Sequence, residues 1–280
     1  MASGPPAPKP TPAQVTALGG SYLTESIYLG TIFDYLLNEG TGTATTADVS
    51  GNDLTLTLVA TDEVDWTDTG LRFDGSPEYA IRSDATYNEV GDFSMEVWTK
   101  IDTFVATGGI VSMGGSVSVE TEVTNSLFEI LMTGASGAIN LFYVHESGAG
   151  VNNILTFTTN LIENTVYHIV MVRDVTANTV DLYIDGAFHS QQTYTSGDPT
   201  IGAGTASLGL SVRIGSLTAQ TNTMYRVHGY SRKLLSAEIT TLFNTPFGVF
   251  ASSVLTGAGS PSVGIRRRRR KGLSKYAGRH

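Results

Sequence analysis

One short segment carries carboxylates at a spacing that suits the cleavage of a glycosidic bond. Glu63 and Asp65 alternate, so on a β-strand their side chains would share one face, and Asp68 follows three residues later. Glycoside hydrolysis uses two such carboxyl groups about 5–10 Å apart across a groove. A sugar-cleaving groove also needs aromatic platforms, and the chain has only two tryptophans. We interpret the segment as an acidic surface turn, and expect neither a catalytic cleft nor enzymatic activity.

A run of six basic residues is the clearest binding feature. Its adjacent guanidinium groups repel one another, which predicts a tail that becomes ordered only against an anionic partner. Nucleic acid phosphate, an acidic protein surface and the acidic body of a neighbouring copy are the alternatives for that partner, beside a purely solubilising role. The run consists of Arg266, Arg267, Arg268, Arg269, Arg270 and Lys271.

Charge is divided unevenly along the 280 residues. Residues 261–280 contain eight basic and no acidic side chains, whereas residues 1–260 contain nine basic and 26 acidic ones. The formal net charge of −9 therefore combines a basic tail with a body of charge −17. Such asymmetry points to interaction partners and carries no information about the fold.

The composition favours short strands joined by tight turns. Glycine is frequent, with 31 residues, and charged residues make up only 15% of the chain. The absence of cysteine excludes disulfides and cysteine-based metal or redox sites. The N-terminal sequence lacks the apolar core of a secretory signal, and no apolar run reaches the roughly 18–20 residues of a membrane span. We expect a soluble protein that is made in the cytoplasm and has no membrane partner.

Period-two alternation of apolar and polar residues predicts strands that would position these groups. It is clearest in Phe93–Lys100 and Thr179–Ile184, and an indole on such a strand predicts a buried Trp98. Val166–Arg173 is predicted as a strand as well. Asp185-Gly186 then supplies the residue types of a tight hairpin turn. Together with further short segments of this kind, the pattern predicts two packed antiparallel sheets.

One helix is expected after the last predicted strand. Over Ser236–Phe243, Ser236 is a good N-cap residue, Glu238 lies in the first turn and Pro246 follows the end. The whole chain then divides into three regions: a proline-rich N-terminal arm (1–20), a β-sandwich domain (21–250), and a Ser/Gly linker with the arginine-rich tail (251–280).

Four segments, in order, resemble the laminin-G-like family of the concanavalin A-type lectin/glucanase superfamily. They are FDYLLNEGTG (33–42) with DVSGN (48–52), GLRFDGS (70–76) with FSMEVW (93–98), YHIVMVR (167–173) with VDLYIDG (180–186), and YRVHGYSRKLLSAEI (225–239). The resemblance spans roughly residues 27–243. A further stretch, LFNTPFGVF (242–250), resembles a segment that follows such domains in tailed-bacteriophage proteins.

The resemblance implies an all-β, two-sheet antiparallel jelly-roll sandwich with extended N- and C-terminal arms. It leaves the function open, because this sandwich carries lectins, adhesins, glucanases and structural modules. The chain departs from the family at Tyr225 and Arg226, where an acidic pair usually opens the last strand. A calcium or loop-anchoring role is therefore not expected there.

The resemblance also implies where a ligand would bind. Many relatives bind calcium through oxygen ligands, and the loops holding Asp48, Asn52, Asp74 and Tyr79 are the candidates for calcium or glycan. The alternative is that the first of these loops is an ordinary turn in which Asp and Asn bond their own backbone. The loop 145–153 is a further place for a glycan. No other cofactor is expected.

Two histidines have different expected roles. His168 occupies a position where the resemblance implies packing before a core strand. His145, in a glycine-rich stretch, is expected to be solvated and not to bind a metal.

A recognition fold without a secretory signal suggests a bacteriophage virion protein, released by lysis. The leading hypothesis is a non-enzymatic structural subunit of the virion, most simply a capsid decoration or minor head protein and next a tail or fibre component. Its arms would bind other subunits, with a homo-oligomer expected. The alternatives are a carbohydrate-binding lectin or adhesin that recognises host-surface glycan, and a coat protein whose tail binds the genome as nucleic acid.

Overall fold

The structure, a computed structural model, describes residues 26–42, 44–60, 65–67, 69–75, 78–104, 107–115, 126–135, 138–148, 150–201, 205–213 and 218–246. Within these ranges the chain forms eighteen strands and one α-helix, α1 (Ser236–Asn244). The strands are β1 (Thr31–Tyr35), β2 (Thr45–Thr46), β3 (Leu56–Val59), β4 (Asp65–Trp66), β5 (Leu71–Phe73), β6 (Tyr79–Ser83), β7 (Phe93–Thr103), β8 (Gly108–Gly114), β9 (Ser126–Ala135), β10 (Ala138–Glu146), β11 (Asn152–Thr159), β12 (Val166–Asp174), β13 (Thr179–Ile184), β14 (Ala187–Thr193), β15 (Ser207–Leu210), β16 (Val212–Arg213), β17 (Thr218–Ala219) and β18 (Thr221–Tyr230). The predicted all-β class is confirmed.

The strands form two sheets. The first has the order β14-β13-β12-β7-β18-β5-β4, with β1 also paired to β18. The second has the order β11-β10-β9-β8-β15-β6-β3-β2, with β16 and β17 beside β8. Among the described strands every pairing is antiparallel except a single contact between Ala219 and Gly109. This is the two-sheet antiparallel sandwich that the sequence predicts.

The main core lies between the sheets and is built from alternate residues of each strand. Phe93, Met95 and Val97 of β7 face Phe128 and its neighbours on β9, and all of these side chains are fully buried. Phe93 and Phe128 meet edge to face, with ring centroids 5.0 Å apart. Each such side chain contributes about 1.5–3 kcal/mol by burial, which makes this layer the main source of stability.

The outer face of the first sheet is covered as well, mainly by α1. Trp98, which points away from the main core, is only 2% exposed. Its ring stacks on Phe243 of α1, at a centroid distance of 5.7 Å and an interplanar angle of 4°. The predicted burial of Trp98 is confirmed, and β7 is buried on both faces.

The start of α1 differs from the sequence prediction. The N-cap residue is Leu235, whose backbone N–H donates to Glu238 Oε2 at 2.7 Å. Ser236 is the first helical residue, and its hydroxyl bonds the Tyr183 hydroxyl at 2.9 Å. The expectation that Ser236 caps the helix is wrong, because the N-cap position falls on Leu235 and the Ser236 hydroxyl is bonded to Tyr183 of β13.

No helix within the described ranges is both long and apolar enough to cross a membrane.

Candidate functional site

A cleft of about 330 Å³ opens at the end of the first sheet where β12 begins. It lies between the loop that joins β11 to β12 and the hairpin that joins β13 to β14. Its walls combine aliphatic and aromatic carbon with amide, hydroxyl, carboxylate and imidazole groups. The lining residues are Asn160, Leu161, Ile162, Thr165, Tyr167, Ile184, Asp185 and His189.

One wall of the cleft is the hairpin between β13 and β14, and two hydrogen bonds between Asp185 and the backbone of β12 hold it in place. Asp185 N donates to His168 O at 2.8 Å, and Asp185 Oδ1 accepts from His168 N at 3.0 Å. Asp185 and Gly186 both have positive φ, of 51° and 75°, as a tight hairpin turn requires. The turn that Asp185-Gly186 predicts is therefore present, and it sets the position of the carboxylate in the cleft.

A β-bulge turns His189 into the cleft. Tyr183 pairs with Phe188 and Leu182 pairs with Ser190, so His189 is the extra residue on β14. Phe188 instead packs edge to face on Tyr183, with centroids 5.5 Å apart. Bulges commonly redirect one side chain in this way.

The opposite wall of the cleft is formed by the loop 160–165, between β11 and β12. The Tyr167 hydroxyl accepts a hydrogen bond from Ile162 N at 3.0 Å, which holds the loop against the strand. Asn164 N donates to Ile101 O at 2.7 Å and fastens the loop's other side to β7. Ile162 is 59% exposed, so an aliphatic side chain is presented to solvent at the mouth of the cleft.

Helix α1 supports the hairpin from outside the cleft. Thr240 Oγ1 donates to Gly186 O at 3.0 Å, and a Cβ on Gly186 would lie 2.7 Å from Phe243. Phe243 also stacks on His168, at a centroid distance of 5.8 Å. The hairpin wall of the cleft is thus held in place by its contacts with α1.

The first predicted loop has the geometry of a closed turn. Asp48 Oδ1 accepts from Asp34 N and Ser50 N, each at 2.9 Å. Its Oδ2 accepts from the Ser50 hydroxyl at 2.6 Å and from Leu54 N at 3.2 Å. Asn52 Nδ2 donates to Ile32 O at 2.7 Å. Both oxygens of the Asp48 carboxylate accept hydrogen bonds in and around the turn. This is the geometry of an ordinary turn, which is the alternative that the sequence leaves open.

The other predicted ligand positions lie on a different connection. Asp74 follows β5 and is exposed, and its backbone N–H donates to Glu78 Oε2 at 2.8 Å. Tyr79 is half-buried at the start of β6. In the part of the chain that the structure describes, no three His, Asp or Glu side chains are grouped as metal ligands.

The remaining predicted groups are only partly described. Asp65 lies on the two-residue strand β4 and forms an ion pair with Arg72, with Nη1 to Oδ2 at 2.7 Å. Glu63, Asp68 and the run from Arg266 to Lys271 lie outside the described residues, as do the arms 1–20 and 251–280.

His145 is buried, and the expectation that it is solvated is wrong. Its exposure is 0%, its Nδ1 lies 3.0 Å from the Tyr143 hydroxyl, and its Nε2 lies 2.9 Å from both Gly197 O and Asn153 Nδ2. The imidazole thus joins β10 and β11 to the segment around Gly197, a long-range contact that a glycine-rich sequence does not reveal. Burial lowers the pKa of His145 to about 4, so the ring is neutral at pH 7.

A buried charged network occupies the outer face of the first sheet. Arg226 binds the Asp34 carboxylate through two parallel bonds, Nε to Oδ1 at 2.8 Å and Nη2 to Oδ2 at 2.7 Å. Its Nη1 donates to Pro246 O, and its guanidinium carbon lies 5.9 Å from the centre of the Tyr28 ring. Arg226 is one of the two positions at which the chain departs from the family pattern, and it joins the first and last parts of the described domain.

Glu96 is the second carboxylate of this network. Its Oε1 lies 3.2 Å from His168 Nε2, and its Oε2 accepts from the Tyr230 hydroxyl at 3.2 Å. Burial alone would raise the pKa of Glu96, but the Arg226 charge and hydrogen bonds from His168 and His228 hold it well below its usual range. The acid and base groups of this network are all 0% exposed, so they belong to the interior of the fold.

Comparison with known proteins identifies the fold. Residues 73–240, more than half of the chain, match the family model described as the concanavalin A-like lectin/glucanases superfamily. No curated protein matches the sequence.

Several solved structures share this fold at low sequence identity. The Trypanosoma rangeli sialidase in complex with sialic acid is 18% identical with a TM-score of 0.56, over 79% of this chain and 33% of the sialidase. The binding domain of botulinum neurotoxin DC in complex with SialylT is 14% identical with a TM-score of 0.58, over 79% and 52%. The chain therefore spans about a third to a half of the length of these proteins.

Proposed function

Because the chain belongs to the concanavalin A-like lectin/glucanases superfamily, we propose that it is a carbohydrate-binding module that holds a glycan in the cleft beside Tyr167. The observation that carries this proposal is the mixed lining of the cleft. Its volume of about 330 Å³ lies in the range of small-molecule sites, and the alternation of apolar and polar groups suits a sugar ring.

A pyranose has one C–H-rich surface and a rim of hydroxyl groups. Ile162 and Ile184 offer aliphatic contacts for the C–H-rich surface. Asn160 and His189 are exposed and offer hydrogen-bonding groups for the hydroxyl rim. Because an amide and an imidazole can each donate and accept, they match hydroxyl groups, which do both. The two exposed polar residues stand on separate walls, so a ligand between them would be oriented.

The module is proposed to be non-catalytic. Among the described residues that line the cleft, Asp185 is the only carboxylate, whereas glycoside hydrolysis requires a pair. One oxygen of Asp185 already accepts a backbone hydrogen bond. We expect the protein to release no reducing sugar from the glycans that it binds.

The full chain should bind a subset of glycans on an array, and isothermal titration should place the site in the cleft. Asn160→Ala and His189→Ala should each weaken binding about tenfold, since each removes a hydrogen bond worth about 1.4 kcal/mol when the ligand group is left unpaired. Both side chains are exposed, so the variants should keep the wild-type melting temperature.

Matched controls lie on β14, which carries His189, and on β11, which ends beside Asn160. Gln192→Ala on β14 and Asn152→Ala on β11 remove exposed amides that do not line the cleft, and should leave the affinity unchanged. An array without any bound glycan at millimolar protein, or equal affinity in cleft and control variants, would contradict the proposal.

A second function is favoured by the way Arg226 contacts both Tyr28 and Pro246. Tyr28 and Pro246 stand near the first and last described residues, and their contact with one side chain suits a subunit that is tethered through its arms. We propose on this ground that the module is a structural component of a virion, such as a capsid decoration protein. A chain truncated after Ser260 should then fold normally but fail to join the particle, and normal incorporation would refute the anchoring role.

A further inference from the structure

One edge of the second sheet is long, regular and uncharged. The edge strand β11 pairs with β10 without a register shift, and its sequence contains no proline and no charged side chain. The strands at the other ends of the two sheets differ: β2 and β4 are two residues long, and β14 is interrupted by the bulge at His189. Proteins commonly blunt exposed edges with short strands, bulges, charges or proline, and β11 has none of these.

The turn before β11 settles which of its backbone groups point away from β10. Ser147 N donates to Val151 O and Gly150 N donates to Ser147 O, each at 2.9 Å. Because hydrogen-bonded and non-bonded pairs alternate along an antiparallel ladder, the odd-numbered residues of β11 are the ones that bond to β10. The N–H and C=O groups of the even-numbered residues therefore lie on the free edge. These residues are Asn152, Ile154, Thr156 and Thr158.

The free edge is open to a further strand. In the part of the chain that the structure describes, the backbone of residues 152–158 forms hydrogen bonds only with β10. The side chains of the same even-numbered residues are exposed, with Ile154 at 58%. Leu155 and Phe157 are buried and hold the strand on the core. The edge thus presents a row of backbone donors and acceptors beside an exposed surface rich in β-branched side chains.

We propose that β11 pairs antiparallel with β11 of a second copy of the chain, so that the second sheets of the two copies form one continuous sheet. An antiparallel pair of identical strands is symmetric, so each copy supplies what the other requires. With positions 154 and 156 opposite each other, all four even-numbered residues bond across the interface. Ile154 then lies opposite Thr156 of the second copy, and cross-strand pairs of β-branched side chains stabilise a sheet.

Charge favours a second copy as the occupant. The chain has a formal net charge of −9, so two copies repel each other unless they meet at an uncharged surface, and β11 provides one. The sequence of the arm 1–20 suits this edge poorly, because its five prolines lack the backbone N–H that a partner strand donates.

The pairing goes beyond the proposed function and has a consequence for it. Asn160, which lines the cleft, follows directly after β11. Antiparallel pairing would therefore place the two clefts at opposite ends of the joined strands, roughly 30 Å apart. A chain that binds glycan would then be bivalent.

Sedimentation of the full chain should show a dimer at micromolar concentration. Thr156→Pro should raise the dimer dissociation constant about tenfold or more, because proline removes one N–H from the free edge and leaves the ladder with β10 intact. Thr156→Ala is the matched control, since it keeps that N–H, and its dissociation constant should stay within about threefold of the wild-type value.

A second pair of variants decides the test if Thr156→Pro fails to fold. Thr156→Lys places a charge on the exposed edge strand and should also weaken the dimer about tenfold or more. Thr57→Lys makes the same change at an exposed threonine of β3, which lies inside the same sheet between β6 and β2, and should leave the dimer intact. A wild-type chain that stays monomeric at submillimolar concentration, or a dimer that persists in Thr156→Lys, would overturn the inference. Neither result depends on glycan binding, so the proposed function is tested separately.

Discussion

Replacing Arg226 with methionine should lower the free energy of unfolding by about 3–5 kcal/mol, because the change leaves a completely buried carboxylate at Asp34 without its charged partner. Glu96 would lose the same compensating charge. Methionine has a comparable length, so loss of packing is kept small. Urea unfolding followed by tryptophan fluorescence measures the change directly, since Trp98 lies beside this network.

Arg72→Met is the control for removing an arginine from an ion pair. The Arg72 side chain is 37% exposed and the Asp65 side chain 55% exposed, so solvent screens their contact at 2.7 Å. This variant should lose less than about 1 kcal/mol. A comparably small loss in Arg226→Met would show that the buried network does not stabilise the fold.

Lowering the pH from 7 to 4.5 should destabilise the protein, and His145→Gln should remove part of that sensitivity. The folded-state pKa of His145 is about 4, mainly because of burial, whereas the unfolded value is about 6.5. The unfolded chain therefore binds a proton that the folded chain excludes, and stability is full above pH 6.5 and falls below it. By pH 4 this single group accounts for about 3 kcal/mol.

The measurement is a series of melting temperatures or urea midpoints across pH 4.5–7 for both proteins. His189→Gln is the matched control, because it makes the same substitution at an imidazole that is exposed on β14. Identical pH profiles for the wild type and His145→Gln would be incompatible with a neutral buried ring. The ionised Glu96, whose pKa is depressed, keeps its contribution above the ordinary glutamate value and loses it only as the pH falls further, below the range of this series.

Two kinds of strand could be predicted from the sequence. In one, polar and apolar residues alternate, and in the other the residues form a short, mostly apolar run. Phe93–Lys100, Val166–Arg173 and Thr179–Ile184 all lie in β-strands. The first and third show a period-two pattern, and the second is a short, mostly apolar run. β14 was not predictable, since nearly all of its side chains are exposed and its sequence is mostly polar. Its strand geometry comes from pairing with β13, which is a tertiary effect.

The candidate site was less predictable than the fold. The turn at Asp185-Gly186 has a local signal, but the bulge that directs His189 into the cleft depends on the register between two strands. The contact between Ile162 N and Tyr167 likewise depends on how a loop returns to β12. The loops holding Asp48, Asn52, Asp74 and Tyr79 stay predictions as ligand positions, with Asp48 in the closed-turn geometry. The run Arg266–Lys271 stays a prediction for an anionic partner.

Contact of one arginine with both Tyr28 and Pro246 has a consequence for engineering the domain. Since the described chain enters and leaves the sandwich at the same place, its ends can be joined or opened elsewhere with little strain. The domain is therefore suited to insertion into a surface loop of a host protein, where a module with distant ends would force the loop apart. Reconnection near Arg226 would also allow new termini at an exposed turn, which makes the fold a candidate for circular permutation.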